Sequence, residues 1–189
     1  MAARDRFAGT FPSVLAAARA GDGAALARIF TALAPVVEGY LRLQGAAEPE
    51  DLTSEVFLGV FRNLDGFRGD EPAFRSWVFT IAHRRLLDER RRLARRPAAE
   101  PLSVAEQHHA PHDVEGTLLD EVLSTERVRE LCHLLSPDQR DVLLLRLLAD
   151  LTIEEIAATL GRTPGAVKQL QRRGLRAVGR ILAEEGVPR

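Results

Sequence analysis

The sequence predicts an all-α protein, with two small helical domains joined by an acidic, proline-containing linker and a helix-turn-helix in the second domain. Three observations carry this prediction. Apolar residues recur at i, i+3, i+4 spacing through most of the chain, and no stretch alternates as a strand would. Residues 97–117, PAAEPLSVAEQHHAPHDVEGT, hold three prolines and four acids with no lysine or arginine, a composition that breaks helices and separates domains. Beyond them, Thr152 to Leu175 reads as a short helix, a glycine turn and a second helix with a basic outer face.

Each element has its own local justification. Residues 1–23 are set apart as an N-terminal extension. Asp22 can cap a helix through Ala24, Leu26, Ile29, Phe30 and Leu33. Pro35 is expected to kink or end it, after which Val36, Tyr40, Leu41 and Leu43 keep the period to Gly45. A second helix opens at Glu48-Pro49-Glu50-Asp51, with proline and acids where a helix start favours them. Its apolar stripe is Leu52, Val56, Val60 and Leu64. Asp65 to Pro72 is a loop with two glycines, expected to let its backbone approach a ligand closely and to present Phe67 and Arg68 outward. A long helix follows from about Ala73 to Arg95, apolar at Phe74, Trp77, Val78, Ile81 and Leu86. The 24–96 stretch makes the first domain.

Fully extended, the 21 residues of the linker could span roughly 70 Å, so the two halves need not touch. The second domain, 118–189, starts with a helix from Leu118 to Leu135 that turns Leu119, Val122, Val128, Leu131 and Leu135 inward. Ser136-Pro137-Asp138-Gln139 starts the next helix, with serine at the cap and proline in the first turn. Thr152 caps Ile153 to Leu160, which stops at Gly161, and Thr163-Pro164 starts a last helix reaching about Ala183.

Composition narrows the function classes. With 46% hydrophobic and 28% charged residues in 189, the chain has the balance of a globular protein. One cysteine, Cys132, excludes an internal disulfide and any multi-thiolate metal site and fits a reducing cytoplasm. Arg4, Asp5 and Arg6 without a following apolar run argue against a signal peptide, and no 18 consecutive apolar residues occur, so no membrane insertion is expected. The net charge of −1 hides a segregation. Residues 75–96 hold eight arginines against two acids, and residues 162–180 hold six cations and no acid. Residues 97–130 carry eight acids against two arginines, and residues 47–71 seven against two. Two basic blocks suggest two polyanion-binding surfaces, on a chain whose acidic parts meet something cationic.

The motifs sharpen this. In the helix-turn-helix, Ile153, Ile156, Ala157, Leu160, Val167 and Leu170 form a small core. Arg162, Thr163, Lys168, Gln169, Arg172 and Arg173 are left on or near the outer face, where arginine and lysine suit guanine edges or phosphates and glutamine suits adenine. A plain αα-hairpin in a bundle is the alternative. Asp51 and Glu55 lie on one helix face with Ser54 beside them. Lacking a third ligand or a histidine, they read as an acidic docking face rather than a metal or acid/base site. Aromatic residues and arginines interleave at Phe67, Arg68, Phe74, Arg75, Trp77, Phe79, Arg84 and Arg85, a pattern that holds unpaired nucleic acid by stacking and phosphate neutralisation. Phe74, Trp77 and Val78 are equally well placed for packing. His108, His109 and His112 lack a partner cluster, and no phosphate loop, nucleophile elbow or His-Glu-x-x-His motif is present. No catalytic residue, metal or cofactor is therefore expected.

Together these stretches resemble the extracytoplasmic-function (ECF) sigma factors, the compact two-domain class of bacterial transcription initiation factors. Asp51 to Phe57 is similar to the family's core-polymerase docking helix, Phe67-Arg68-Gly69 through Trp77 to its promoter-melting segment, and Ile81 to Asp88 with Arg90 to Arg92 to the helix that reads the minus-ten element. Leu135 to Leu175 is similar to the domain that reads the minus-thirty-five element. The resemblance implies polymerase contacts at Asp51, Ser54, Glu55 and Leu58. It implies minus-ten and melting contacts at Phe67, Arg68, Arg75, Trp77, His83, Arg84, Asp88, Arg91 and Arg92. Minus-thirty-five contacts are implied at Arg140, Arg162, Thr163, Lys168, Gln169, Arg172 and Arg173. Where the family often has asparagine this chain has Arg84, and its usual Gly-Thr-Val-Lys-Ser-Arg reads Gly165 to Leu170 here, which leaves Arg172 or Arg173 to replace the absent arginine. The implied partners are core RNA polymerase (beta-prime clamp and beta flap) and promoter DNA, double-stranded and melted, with an anti-sigma factor as a further candidate and a cytoplasmic site of action. The linker of such factors lies along the path of nascent RNA, whose charge an acidic linker would imitate. The alternative is a stand-alone helix-turn-helix regulator that binds duplex DNA without polymerase; a metal-dependent hydrolase built on the histidines is disfavoured.

Overall fold

The computed structural model describes residues 6–95 and 126–184, all of whose regular structure is helical. The linker at 97–117 and the start of the helix predicted from Leu118 lie outside the described residues.

Four helices form the first lobe: α1 (Phe11–Arg19), α2 (Gly23–Leu43), α3 (Pro49–Arg62) and α4 (Glu71–Arg95), with a 3₁₀ turn at Leu64–Gly66 between the last two. Asp22 caps α2 as predicted, its carboxylate accepting the Ala24 amide at 3.0 Å. The helix closes on Gly45, whose left-handed backbone lets the Gly45 and Ala46 amides reach the Arg42 and Leu41 carbonyls. Pro35 does not end α2, which runs through it from Gly23 to Leu43, so of the two outcomes expected of it the helix end is absent. The proline is exposed, while Leu33, Ala34, Val36 and Val37 around it are buried. A proline inside a helix costs about 3 kcal/mol, and burying an aliphatic side chain contributes about 1.5–3 kcal/mol, so packing on both sides outweighs the missing hydrogen bond. The half-buried apolar length of α2 would also suffice to cross a bilayer, but here it forms the centre of the core.

Residues 6–22, part of the stretch set apart as an N-terminal extension, pack onto the first lobe. Phe11, Val14, Leu15 and Ala18 bury one face of α1 against α2, and Phe7 ahead of it is fully buried. Phe7 packs on Phe11 and Phe11 on Phe74, each with ring centroids 5.3 Å apart, so the N-terminal segment belongs to the same core as α4.

The second lobe holds α5 (Glu126–His133), α6 (Pro137–Leu147), α7 (Ile153–Leu160) and α8 (Pro164–Glu184). Ser136 with Gln139, and Thr152 with Glu155, close reciprocal capping boxes that start α6 and α7 where the sequence places them. Gly161 ends α7 in the left-handed conformation. Gly174 brings α8 against α6, since a Cβ there would lie 2.9 Å from a Leu143 methyl.

The lobes touch, and one apolar core runs through both. At their junction the Gln44 amide donates to the buried Asp141 carboxylate, while Arg90 donates to the Gln44 carbonyl at 2.6 Å and its side-chain oxygen at 3.2 Å. The Tyr40 hydroxyl meets His83 Nδ1 at 2.9 Å, and Thr80 of α4 meets Thr159 of α7 at 3.0 Å. Burial lowers the His83 pKa from its ordinary 6.5; the Asp141 charge opposes this and Arg90 adds to it. Burial raises the Asp141 pKa, opposed by His83, the Gln44 hydrogen bond and Arg90, with Asp138 adding to it. The unfolded chain therefore binds the His83 proton more readily than the folded one. The stability this group contributes is complete above pH 6.5 and declines as the pH falls below it. Asp141 acts with the opposite sign, from pH 3.8 upward. Urea melts between pH 7.5 and 6 should show falling stability in the native chain and a flatter profile in His83→Gln. An identical slope in both would remove His83 as the source.

Candidate nucleic-acid interface

On α8 the predicted division of faces is present. Ile156 and Val167 are fully buried and Ala157 nearly so, with Ile153, Leu160 and Leu170 packed against them, which fixes the angle between α7 and α8. Lys168, Gln169, Arg172 and Arg173 are exposed and line one concavity, and Arg176 and Arg180 extend the basic face. Thr163 turns its hydroxyl to the Ala166 amide at 3.2 Å, capping the first turn of α8. Arg162 is exposed but pairs with Asp138 at 2.7 Å. Arg140 is half-buried against the Leu135 carbonyl with its Nε enclosed, so it is less available than the sequence suggests.

On α4 the structure separates two groups among the predicted contacts. Arg84, Asp88, Arg91 and Arg92 are exposed and, with Trp77 about two turns before Arg84, follow one face; Asp88 pairs with Arg91 at 2.9 Å. Arg75 and His83, implied as minus-ten contacts by the resemblance, are both buried, which leaves little of either side chain open to DNA. Arg75 pairs with Glu71 at 3.6 Å, and His83 lies at the lobe junction against Tyr40. Arg85 points instead to Glu55 of α3, 3.9 Å away.

The turn from Leu64 to Asp70 also departs from expectation. Phe67 is 7% exposed, not outward: its ring stacks on Trp77 (5.2 Å, 28°) and meets Phe74 edge-on at 5.1 Å. Trp77 is half-buried in that cluster, so it combines the packing role with a partly open edge. Arg68 is exposed, but its guanidinium folds back on the Asp65 and Phe67 carbonyls. Gly69 is required at φ +148, where a Cβ would lie 2.8 Å from Ala73. The turn is thus fixed rather than loose.

Asp51, Ser54, Glu55 and Leu58 are all exposed on α3 at i, i+3, i+4, i+7, so the expected docking residues do share one acidic face with an apolar member. Sequence reasoning missed Arg19, which reaches the 64–70 turn from α1. The period Phe11, Val14, Leu15, Ala18 was the available signal for the helix that carries it. Among the described residues no group of three or more histidine, cysteine or acidic side chains could hold a metal ion.

Comparison with known proteins fits this geometry. Residues 29–96 match Sigma-70 region 2 and residues 131–178 match Sigma-70 region 4, so α1 lies ahead of the matched part. The chain is 32% identical over 173 residues to the ECF RNA polymerase sigma factor BldN of Streptomyces coelicolor, covering 89% of this chain and 64% of BldN. It is 32% identical over 169 residues to the ECF sigma factor SigD of Mycobacterium tuberculosis, covering 86% of this chain and 79% of SigD. It thus spans slightly less than two thirds of BldN's length. Among solved structures, CnrH in complex with the cytosolic domain of CnrY shares the fold with a TM-score of 0.65 at 20% identity, over 93% of this chain and 98% of CnrH. RpoE from Bartonella quintana, in complex with the anti-sigma factor NepR, does so at 0.56 and 21%, over 94% and 96%. With both regions matched in order and this degree of identity to SigD, the chain belongs to the ECF family of RNA polymerase sigma factors.

Proposed function

We propose that the chain acts in the cytoplasm by binding rather than by catalysis, docking on core RNA polymerase and bringing two promoter elements to it. The observation that carries this reading is the sorting of charge by face: α8 and α4 present exposed cations, while α3 presents an exposed acidic face. The α8 residues Lys168, Gln169, Arg172 and Arg173, with Arg162 and Thr163 beside them, serve the minus-thirty-five duplex. Arg84, Asp88, Arg91, Arg92 and the open edge of Trp77 serve the minus-ten element, and Arg68 at the head of the turn assists strand opening. Asp51, Ser54, Glu55 and Leu58 serve the polymerase clamp. An anti-sigma factor is a further partner, a reading supported by the fold shared with the sigma factor RpoE, solved in complex with the anti-sigma factor NepR.

The test is polymerase dependence. Added to core enzyme, the protein should confer promoter-specific binding and transcription, and alone it should bind promoter and random duplex with similar, salt-sensitive affinity. Specific, high-affinity duplex binding without polymerase would favour the stand-alone regulator instead.

A further inference from the structure

The N-terminal segment grips the 64–70 turn from both sides. Arg19, the last residue of α1, donates from Nε to the Leu64 carbonyl at 3.3 Å and from a terminal nitrogen to the Phe67 carbonyl. Across the turn, the Arg6 amide donates to the Glu71 carboxylate at 3.2 Å, at the start of α4. Arg28 of α2 anchors this segment in turn, donating to the Phe7 carbonyl at 3.2 Å and the Thr10 hydroxyl at 2.7 Å. Phe7 and Phe11 continue the contact into the cluster that holds Phe67, Phe74 and Trp77.

Two guanidiniums share the Phe67 carbonyl: Arg19 from α1, and Arg68 from the turn itself at 2.7 Å. A carbonyl oxygen has two lone pairs and accommodates both. If Arg68 swings out to a phosphate or an unstacked base, it must release the Asp65 and Phe67 carbonyls. A half-buried carbonyl abandoned in this way is costly, and the turn would otherwise relax to find a new donor. Arg19 remains on the Phe67 carbonyl and removes that cost at the one acceptor it shares.

We propose that Arg19 is a positioning residue for promoter opening: it holds the 64–70 turn in place while Arg68 exchanges its backbone contacts for DNA. This rests on the role given to Arg68 above, and it extends the working part of the protein to α1, ahead of the region 2 match.

Trp77, the chain's single tryptophan, stacks on Phe67 and reports the turn directly. In the full-length protein, Arg19→Ala should red-shift Trp77 emission while the thermal midpoint stays nearly unchanged, and Arg19→Lys should restore part of the shift. In reconstituted holoenzyme, Arg19→Ala should assemble and form closed complexes normally but open duplex promoters about tenfold more slowly. A pre-opened bubble template should restore normal activity. The control is Arg68→Ala. If Arg68→Ala opens duplex slowly and Arg19→Ala does not, the positioning role is wrong and the role of the turn stands. If neither variant distinguishes duplex from bubble, the role of the turn itself is wrong, and this inference goes with it. If Arg19→Ala loses activity on both templates together with its thermal midpoint, Arg19 is only a structural brace and the proposal is overturned.

Discussion

Reversing Asp51 and Glu55 to lysine should abolish assembly with core RNA polymerase while leaving the helical fold in place. Both carboxylates are exposed on α3 on the same face as Ser54 and Leu58, so neither substitution disturbs the core. The cost to folding comes from two local sources. Asp51 lies in the first turn of α3, where a cation forfeits a helix-dipole interaction of about 0.3–1 kcal/mol. Glu55 faces Arg85 at 3.9 Å, and the exposed pair contributes under about 1 kcal/mol. Together they remove a small part of the ~5–15 kcal/mol typical of a domain. Placing two like charges against a cationic partner costs several kcal/mol, so affinity should fall more than about a hundredfold. Co-purification with core enzyme, or titration of labelled protein, measures this directly, with circular dichroism confirming the fold. Normal assembly of the double variant would rule out α3 as the docking face.

The second large effect belongs to α8. Lys168, Arg172 and Arg173 line one concavity, at positions where a helix lying in the major groove meets both base edges and the flanking phosphates. Replacing all three with alanine should weaken promoter binding by holoenzyme and flatten its salt dependence. The slope of log K against log salt falls by about one for each phosphate left without its cation. Lys168→Ala alone should show a mixed result, with a shallower slope and discrimination relaxed at one base position worth about 1–3 kcal/mol. Arg172 and Arg173, a turn further on, should contribute mainly to the slope. If the triple variant changes neither affinity nor slope, α8 does not enter the groove.

The second lobe was legible because its signals are local. Ser136 with Gln139, Thr152 with Glu155 and Gly161 mark helix ends within a few residues, and α6 to α8 follow. The exposed charges of α3, α4 and α8 were legible for a related reason, since periodicity places a face without knowing its neighbours. Residues whose fate depends on distant partners were not legible in this way. Phe67 sits in a glycine-flanked turn that looks open in sequence, yet Trp77, Phe74 and Arg19 close over it. His83 carries a DNA-facing signature but is claimed by Tyr40, 43 positions earlier. Gln44 and Asp141 meet across 97 positions, and no local pattern announces that pair. Pro35 does not end its helix because burial on either side of it outweighs the lost hydrogen bond.

The shared core has a thermodynamic consequence. Two domains joined only by a tether would melt independently, each with its own midpoint. Here one apolar cluster extends from Phe7 to Val167 and includes side chains from both lobes, so disordering either lobe strips packing from the other. A scanning calorimeter should accordingly record a single endotherm whose van't Hoff enthalpy equals the calorimetric enthalpy, as for one cooperative unit. Weakened packing in the first lobe would then lower the midpoint of the second as well, so heat would disable the functions proposed for both at one temperature.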